Sequence, residues 1–265
     1  MTLPEQSVGG TPELTDSTTT KRSISDVFFA IGTLIVIGIV LILLLPATGG
    51  GSRPASRRSQ CKNNLKQIGL ALRNYHDQYG CFPPAFVADE LGRPMHSWRV
   101  LLLPYLDQAP LYKEYRFDEP WDGPNNRKLA STVLSIYCCP SEEVEKGSPE
   151  SLYTSYVAVV GPETAWPGAT STRIKDFKDG TSNCLLIVES AHSGIHWMEP
   201  RDLHVLQMSS TINSAAGQGI SSRHTGGAHA LIADGAVRFL SENLSAETIR
   251  ALLTIKGGEV IPSDF

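Results

Sequence analysis

The chain has 265 residues, 41% hydrophobic and 19% charged, with 23 Gly and 17 Pro. That balance excludes a wholly disordered or collagen-like protein and fits a loop-rich globular one. A net charge of -4 and a pI near 6.0 leave no broad basic field, so nucleic acid is not an expected partner.

The first 20 residues are rich in Ser, Thr, Gly and Pro. Residues 1–26 read as a disordered N-terminal tail. From Val27 to Leu45 follow 19 residues without a charge, Thr33 being the only polar one. A helix of that length rises roughly 28 Å, close to the hydrocarbon thickness of a bilayer. The run starts too deep in the chain for an ordinary secretory signal, so residues 27–46 are predicted to form a single transmembrane helix, with the lipid bilayer as a partner. Lys21 and Arg22 precede it; Arg53, Arg57, Arg58 and Lys62 follow it. By positive charges alone the C-terminal side belongs in the cytoplasm.

Residues 47–60, ATGGGSRPASRRSQ, read as a flexible linker, with three glycines and Pro54 expected to prevent a continuous helix. Residues 61–265 are long enough for one domain with a real core. The segment from Cys61 is predicted to be a helix. Leu65, Ile68, Leu72, Tyr75 and Tyr79 recur at helical spacing, and Gly80 stops it. Residues 97–117 read as short helices interrupted at Pro104 and Pro110, with another opening at Asn126 or Arg127 and running to Leu134. Ser135 to Cys138, Tyr153 to Val160 and residues 184–190 read as strands, and 179–183 as a turn.

The sequence HALIADGAVRFL predicts a hairpin over 229–240 with a type I′ turn at Asp234-Gly235. A two-residue loop sets Ile232 opposite Val237 and Ala230 opposite Phe239, giving an apolar face expected against the long helix. Ser245 then caps a last helix, with Leu244 and Ile249 at staple positions and Gly257 ending it.

The chemistry-bearing residues admit two readings each. His224 and Asp234 suit a metal or acid-base role; alternatively Asp234 only serves the turn and His224 packs at the strand base. Asp176, Asp179 and Asn183 can offer oxygens to calcium, but no EF-hand ligand series is present and a turn explains them as well. Glu189, Glu199, Arg201 and Asp202 fit either a buried salt-bridge network or the wall of a cleft. His192, His196 and His204 are scattered, and neither a phosphate-binding loop nor a nucleophile elbow occurs. No cofactor is expected, and no constellation supports an enzyme. The five cysteines, Cys61, Cys81, Cys138, Cys139 and Cys184, have no zinc-ribbon spacing, and their connectivity is not readable.

CKNNLKQIGLALRNYHDQYGCFPPA, SWRVLLLPYLDQAPLY, SYVAVVGPETAWPG, KDGTSNCLLIVES and RHTGGAHALIADGAVRFLSE occur in this order. Together they resemble a bacterial prepilin-like family of unknown function whose C-terminal part is the prepilin-type processing-associated H-x₉-D-G domain, here His224, Asp234 and Gly235. The resemblance runs from about Cys61 to Ile261. It implies an α+β fold in which a pilin-like helix packs on an antiparallel sheet outside the cytoplasmic membrane, against the charge bias. It also implies that Cys61 can pair with Cys139, since an oxidising compartment permits disulfides. The family's Gly-Phe-Glu processing signature is replaced here by Ile24, Ser25 and Phe29, so the chain is expected to stay uncleaved.

The sequence thus predicts a membrane-anchored pilin-like structural or interaction protein, allied to other pilin-like or secretion proteins in a pseudopilus system. The alternative is a membrane-tethered extracytoplasmic ligand- or metal-binding domain with a cleft near Glu189, Glu199 and His224.

Overall fold

The computed structural model describes residues 28–29, 31–37, 52–145, 147–214 and 217–262. The chain divides into two units, Met1–Gly50 and Gly51–Phe265. In the first, residues 28–29 and 31–37 are helical and exposed. Among the described residues no helix is long and apolar enough to cross a membrane. Most of the expected span 27–46 lies outside the described residues, as do the tail 1–26, Ile24, Ser25 and positions 47–51.

The second unit is mixed α+β. Helix α1, Ser52–Tyr79, opens it. This corrects the linker expected over 47–60, because its residues 52–60 are helical. Pro54 lies in the first turn of α1, where its missing N–H costs no hydrogen bond and its fixed φ suits a helix. Packing nevertheless begins at Cys61. Cys61, Asn64, Leu65, Ile68, Ala71 and Leu72 are buried, a stripe at intervals of three and four, while residues 54–60 bury none. Gly80 ends the helix at φ +72, its N–H bonding to the His76 carbonyl.

A two-stranded hairpin follows, β1 (Phe86–Ala88) and β2 (Pro94–Ser97), then α2 (Trp98–Leu101) and α3 (Ala109–Glu114). The main sheet contains β3 (Tyr156–Val160), β4 (Leu185–Glu189), β5 (Leu203–His204), β6 (Gly227–Ile232) and β7 (Val237–Ser241), in the order β5-β3-β4-β6-β7. All neighbours are antiparallel except β3 and β5. Helix α4, Ala246–Leu253, closes the fold, and the Ser245 hydroxyl accepts from the Thr248 N–H as an N-cap should. Two expected elements are shorter or absent. Ser135–Tyr137 is a 3₁₀ turn instead of a strand, and Asn126–Lys128 is a single 3₁₀ turn.

The sheet is covered on both faces. One face, with Leu231, packs against the α1 stripe, Trp98 and Trp166; the other against Ile249, Leu252 and Leu253 of α4. The β6–β7 register decides which residues meet which helix. Leu231 pairs with Val237 and His229 with Phe239, one step off the expected pairing. The Gly235 N–H bonds to Ile232 O and the Ile232 N–H to Ala236 O, while Asp234 Oδ1 accepts from the Ala236 N–H. Gly235 has φ +92, but Asp234 is not among the residues with positive φ, so the turn is not type I′. One extra loop residue shifts the register, and a shift of one exchanges the two faces. Leu231 therefore faces α1, whereas Ala230 and Ile232, expected there, join the α4 side.

Candidate functional site

Glu189 ends β4, a strand whose other residues, Leu185, Leu186, Ile187 and Val188, are all buried and apolar. A carboxylate at the end of such a strand must find polar partners, because burying an unpaired charge costs several kcal/mol. It finds them on β6 and on the loop before it. Glu189 Oε2 accepts the backbone N–H of His229 at 2.6 Å and faces His229 Nδ1 at 3.3 Å. Glu189 Oε1 lies 3.2 Å from His224 Nε2. Burial pushes the Glu189 carboxyl up, but the His224 and His229 hydrogen bonds outweigh it and hold it below the usual glutamate range.

His224 is placed by its own loop. Its N–H donates to Ser222 Oγ, and Ser222 Oγ donates to the Gly227 carbonyl. Gly226 and Gly227, with φ +88 and +155, turn the chain from this loop into β6. A Cβ at Gly227 would sit 1.9 Å from the Leu240 carbonyl oxygen, so the close strand contact requires glycine. The His224, His229 and Phe239 rings follow one another edge to face, and Arg58 of α1 covers Phe239.

The third side is a disulfide. Cys61 of α1 and Cys139 are bonded, with Cα atoms 5.1 Å apart. The surrounding segment is tied to α1 twice more, by Asn64 Nδ2 donating to the carbonyls of Ser135 and Cys138. Tyr156, opposite Glu189 on β3, donates its hydroxyl to the Cys61 carbonyl. Cys139 Sγ is 3.8 Å from His224 Nε2. Ligand atoms of Cys61, Cys139, Glu189 and His224 all lie within 4.8 Å of one another, and all four residues are buried. His224 also reaches a cavity of about 680 Å³ lined by Arg57, Arg58, Glu142, Glu143 and Arg223.

This grouping is not a thiol–imidazole–carboxylate relay. A relay needs one imidazole nitrogen on the sulfur and the other on the carboxylate, whereas here Nε2 faces both. A single nitrogen facing the Cys139 sulfur and a carboxylate oxygen, with the Cys61 sulfur within 4.8 Å, is the arrangement of converging ligands.

The other sequence candidates lie elsewhere. Asp234 and His224 flank opposite ends of β6, separated by its six residues, so they do not form one site. Asp179 accepts from the Gly257 and Gly258 N–H groups, Asp176 from the Arg173 N–H, and Asn183 donates to the Asp179 carbonyl. These are turn contacts. Glu199 pairs with Arg201, and Asp202 pairs with fully buried Arg99. The charges grouped in the sequence therefore separate into three places. His229 and Arg99 were missed as partners, though a lone Arg in SWRVLLL and a His within an apolar strand were available signals.

Comparison with curated proteins gives no match, and neither does comparison with solved structures. The family described as "Protein of unknown function (DUF1559)" matches residues 51–211 and 192–247. These matches take in α1, the sheet and the Glu189–His224 site, and the chain belongs to this family.

Proposed function

We propose that the chain is a single-pass membrane protein of prepilin-like type, with its α+β body outside the cytoplasm, and that it acts as a structural or interaction module and not as a catalyst. The observation that carries this reading is the Cys61–Cys139 bridge, which joins α1 to the body. Such bonds persist outside the cytoplasm and are rare within it. The apolar run Val27–Leu45 ahead of α1 supplies the anchor, and a long helix laid on an antiparallel sheet is the layout that the prepilin resemblance implies. The positive charges after the apolar run point the other way, but the positive-inside rule is a bias, and large domains are translocated against it. The family's processing signature is absent at Ile24, Ser25 and Phe29, so the anchor is retained and the chain does not enter a filament as a processed subunit.

Fusions of alkaline phosphatase and of green fluorescent protein to Phe265, compared in intact cells, test the orientation. An active phosphatase with a dark fluorescent fusion is expected; the opposite pair of results overturns the reading. Intact mass of the membrane-extracted protein should match the whole chain.

A further inference from the structure

We propose that Cys61, Cys139, Glu189 and His224 form a zinc site that the disulfide keeps closed and that reduction opens. Two thiolates, one imidazole nitrogen and one carboxylate oxygen make a four-ligand set suited to tetrahedral Zn²⁺. The ligand atoms lie within 4.8 Å of one another, so small side-chain rotations bring them onto a common centre. Cα atoms 5.1 Å apart can remain in place once the sulfurs separate.

The surroundings are arranged as a second layer for such a site. His229 holds Glu189 Oε2 with its backbone N–H and ring, which leaves Oε1 turned towards His224 Nε2 and the sulfurs. Outer contacts of this kind orient metal ligands. Zn²⁺ with two thiolates and a carboxylate carries one net negative charge. Arg57, Arg58 and Arg223, with Glu142 and Glu143, line the cavity that His224 reaches, and the arginines offset that charge.

In the disulfide state neither sulfur is a thiolate, and the site has only Glu189 and His224 to offer. Opening it takes two electrons from a dithiol reductant. Thiol–disulfide exchange leaves Cys61 and Cys139 as thiols and the reductant as a disulfide; Zn²⁺ then displaces the two thiol protons to solvent. Neighbouring Cys138 is turned away from the bridge, its thiol facing the carbonyls of Leu134, Ser151 and Tyr153.

The test uses the full chain in detergent micelles. It is reduced with a phosphine under argon and titrated with Co²⁺, a spectroscopic stand-in for Zn²⁺. The reduced protein should bind a single equivalent, with tetrahedral d–d absorption and thiolate-to-cobalt charge transfer that Zn²⁺ abolishes. The oxidised protein should show neither. His224→Ala and Cys139→Ser should each weaken binding at least tenfold, and His229→Ala by less, since it removes the ring contact but keeps the backbone N–H on Glu189. Cys81→Ser and Cys138→Ser should leave the spectrum unchanged. A reduced protein that stays folded by circular dichroism and gives no tetrahedral spectrum overturns the proposal. So does a spectrum that survives His224→Ala, or a reduced protein that unfolds and is not refolded by Zn²⁺.

Discussion

The backbone N–H of His229 reaches Glu189 Oε2 at 2.6 Å, so the β4–β6 pairing itself positions the carboxylate. The group is most stable as an anion, with its pKa below the ordinary glutamate range. The contribution it makes is present above the unfolded pKa and is lost as pH falls through the lower folded value. Glu189→Gln should therefore lower stability by about 2 kcal/mol at neutral pH, since hydrogen bonds to a charged group are worth about 1.5–3 kcal/mol. It should also remove part of the acid limb of the stability curve. Urea melts from neutral pH down to pH 3 would check both, and an unchanged acid limb would contradict the assignment.

The disulfide closes a loop of 78 residues. In the chain-entropy picture a loop of that size contributes roughly 4 kcal/mol. Cys61→Ser should lower the denaturant midpoint accordingly, and phosphine treatment should do the same to the parent chain but not to the variant. A midpoint indifferent to reduction would show that the Asn64 and Tyr156 hydrogen bonds suffice alone.

Two glycines separate strain from collision. Gly235 has φ +92 and open space around its Cα, so Gly235→Val should cost only the backbone penalty, about 1–3 kcal/mol. At Gly227 a methyl group would meet the Leu240 carbonyl oxygen at 1.9 Å. Gly227→Ala should thus be the more damaging although it adds less bulk, and thermal melts of the two variants should rank them in that order.

Arg99 and Asp202 are both fully buried and paired, and Asp202 also accepts from Trp98 Nε1 and the Ala158 N–H. Arg99→Met leaves a buried carboxylate without its cation and should cost about 3–5 kcal/mol. Adding Asp202→Leu should recover part of that loss. A double variant less stable than the single one would show that the remaining Asp202 hydrogen bonds outweigh the charge.

Cys138 and Cys81 are both half-buried, but the Cys138 thiol faces the carbonyls of Leu134, Ser151 and Tyr153. With its thiol pushed up to about 11, Cys138 holds very little thiolate at pH 8. Iodoacetamide at pH 8 should modify Cys81 well before Cys138 in the native protein, as peptide mapping would show. Equal rates would mean that the 135–139 segment opens readily.

Much of the fold could be read from local pattern. The Leu65, Ile68 and Leu72 stripe of α1, the Ser245 cap and the apolar run of β4 depend on residues close together in sequence and appear where periodicity and capping place them, although Tyr79, expected to extend the stripe, is exposed. What was misread depends on longer-range accounting. Pro54 reads as a breaker until the helix is seen to start just before it. The faces of β6 exchange, while Val237 and Phe239 of β7 stay on the α1 side, because one loop residue more or fewer is not encoded in the apolar pattern. Glu189 was visible as an odd charge beside a buried strand, but its partners come from 35 and 40 residues away. No spacing rule connects them. Cys61 and Cys139 were linked through the prepilin resemblance and not through any feature of the residues themselves.

Helix α1 runs 28 residues, yet its buried stripe starts at Cys61, where the covalent bond to Cys139 also lies. Traction on the chain ahead of Ser52 travels down the helix, past the Arg57–Glu143 and Arg58–Phe239 contacts, and meets a sulfur–sulfur bond at its first buried residue. Peeling α1 from the sheet, turn by turn from its exposed end, is the weakest way to unfold a helix lying on a sheet. The bridge stands at the point where peeling would begin. With the bond intact the load passes into the loop before β3; once it is reduced, the same pull falls on the Cys61 packing and on the Asn64 hydrogen bonds to Ser135 and Cys138.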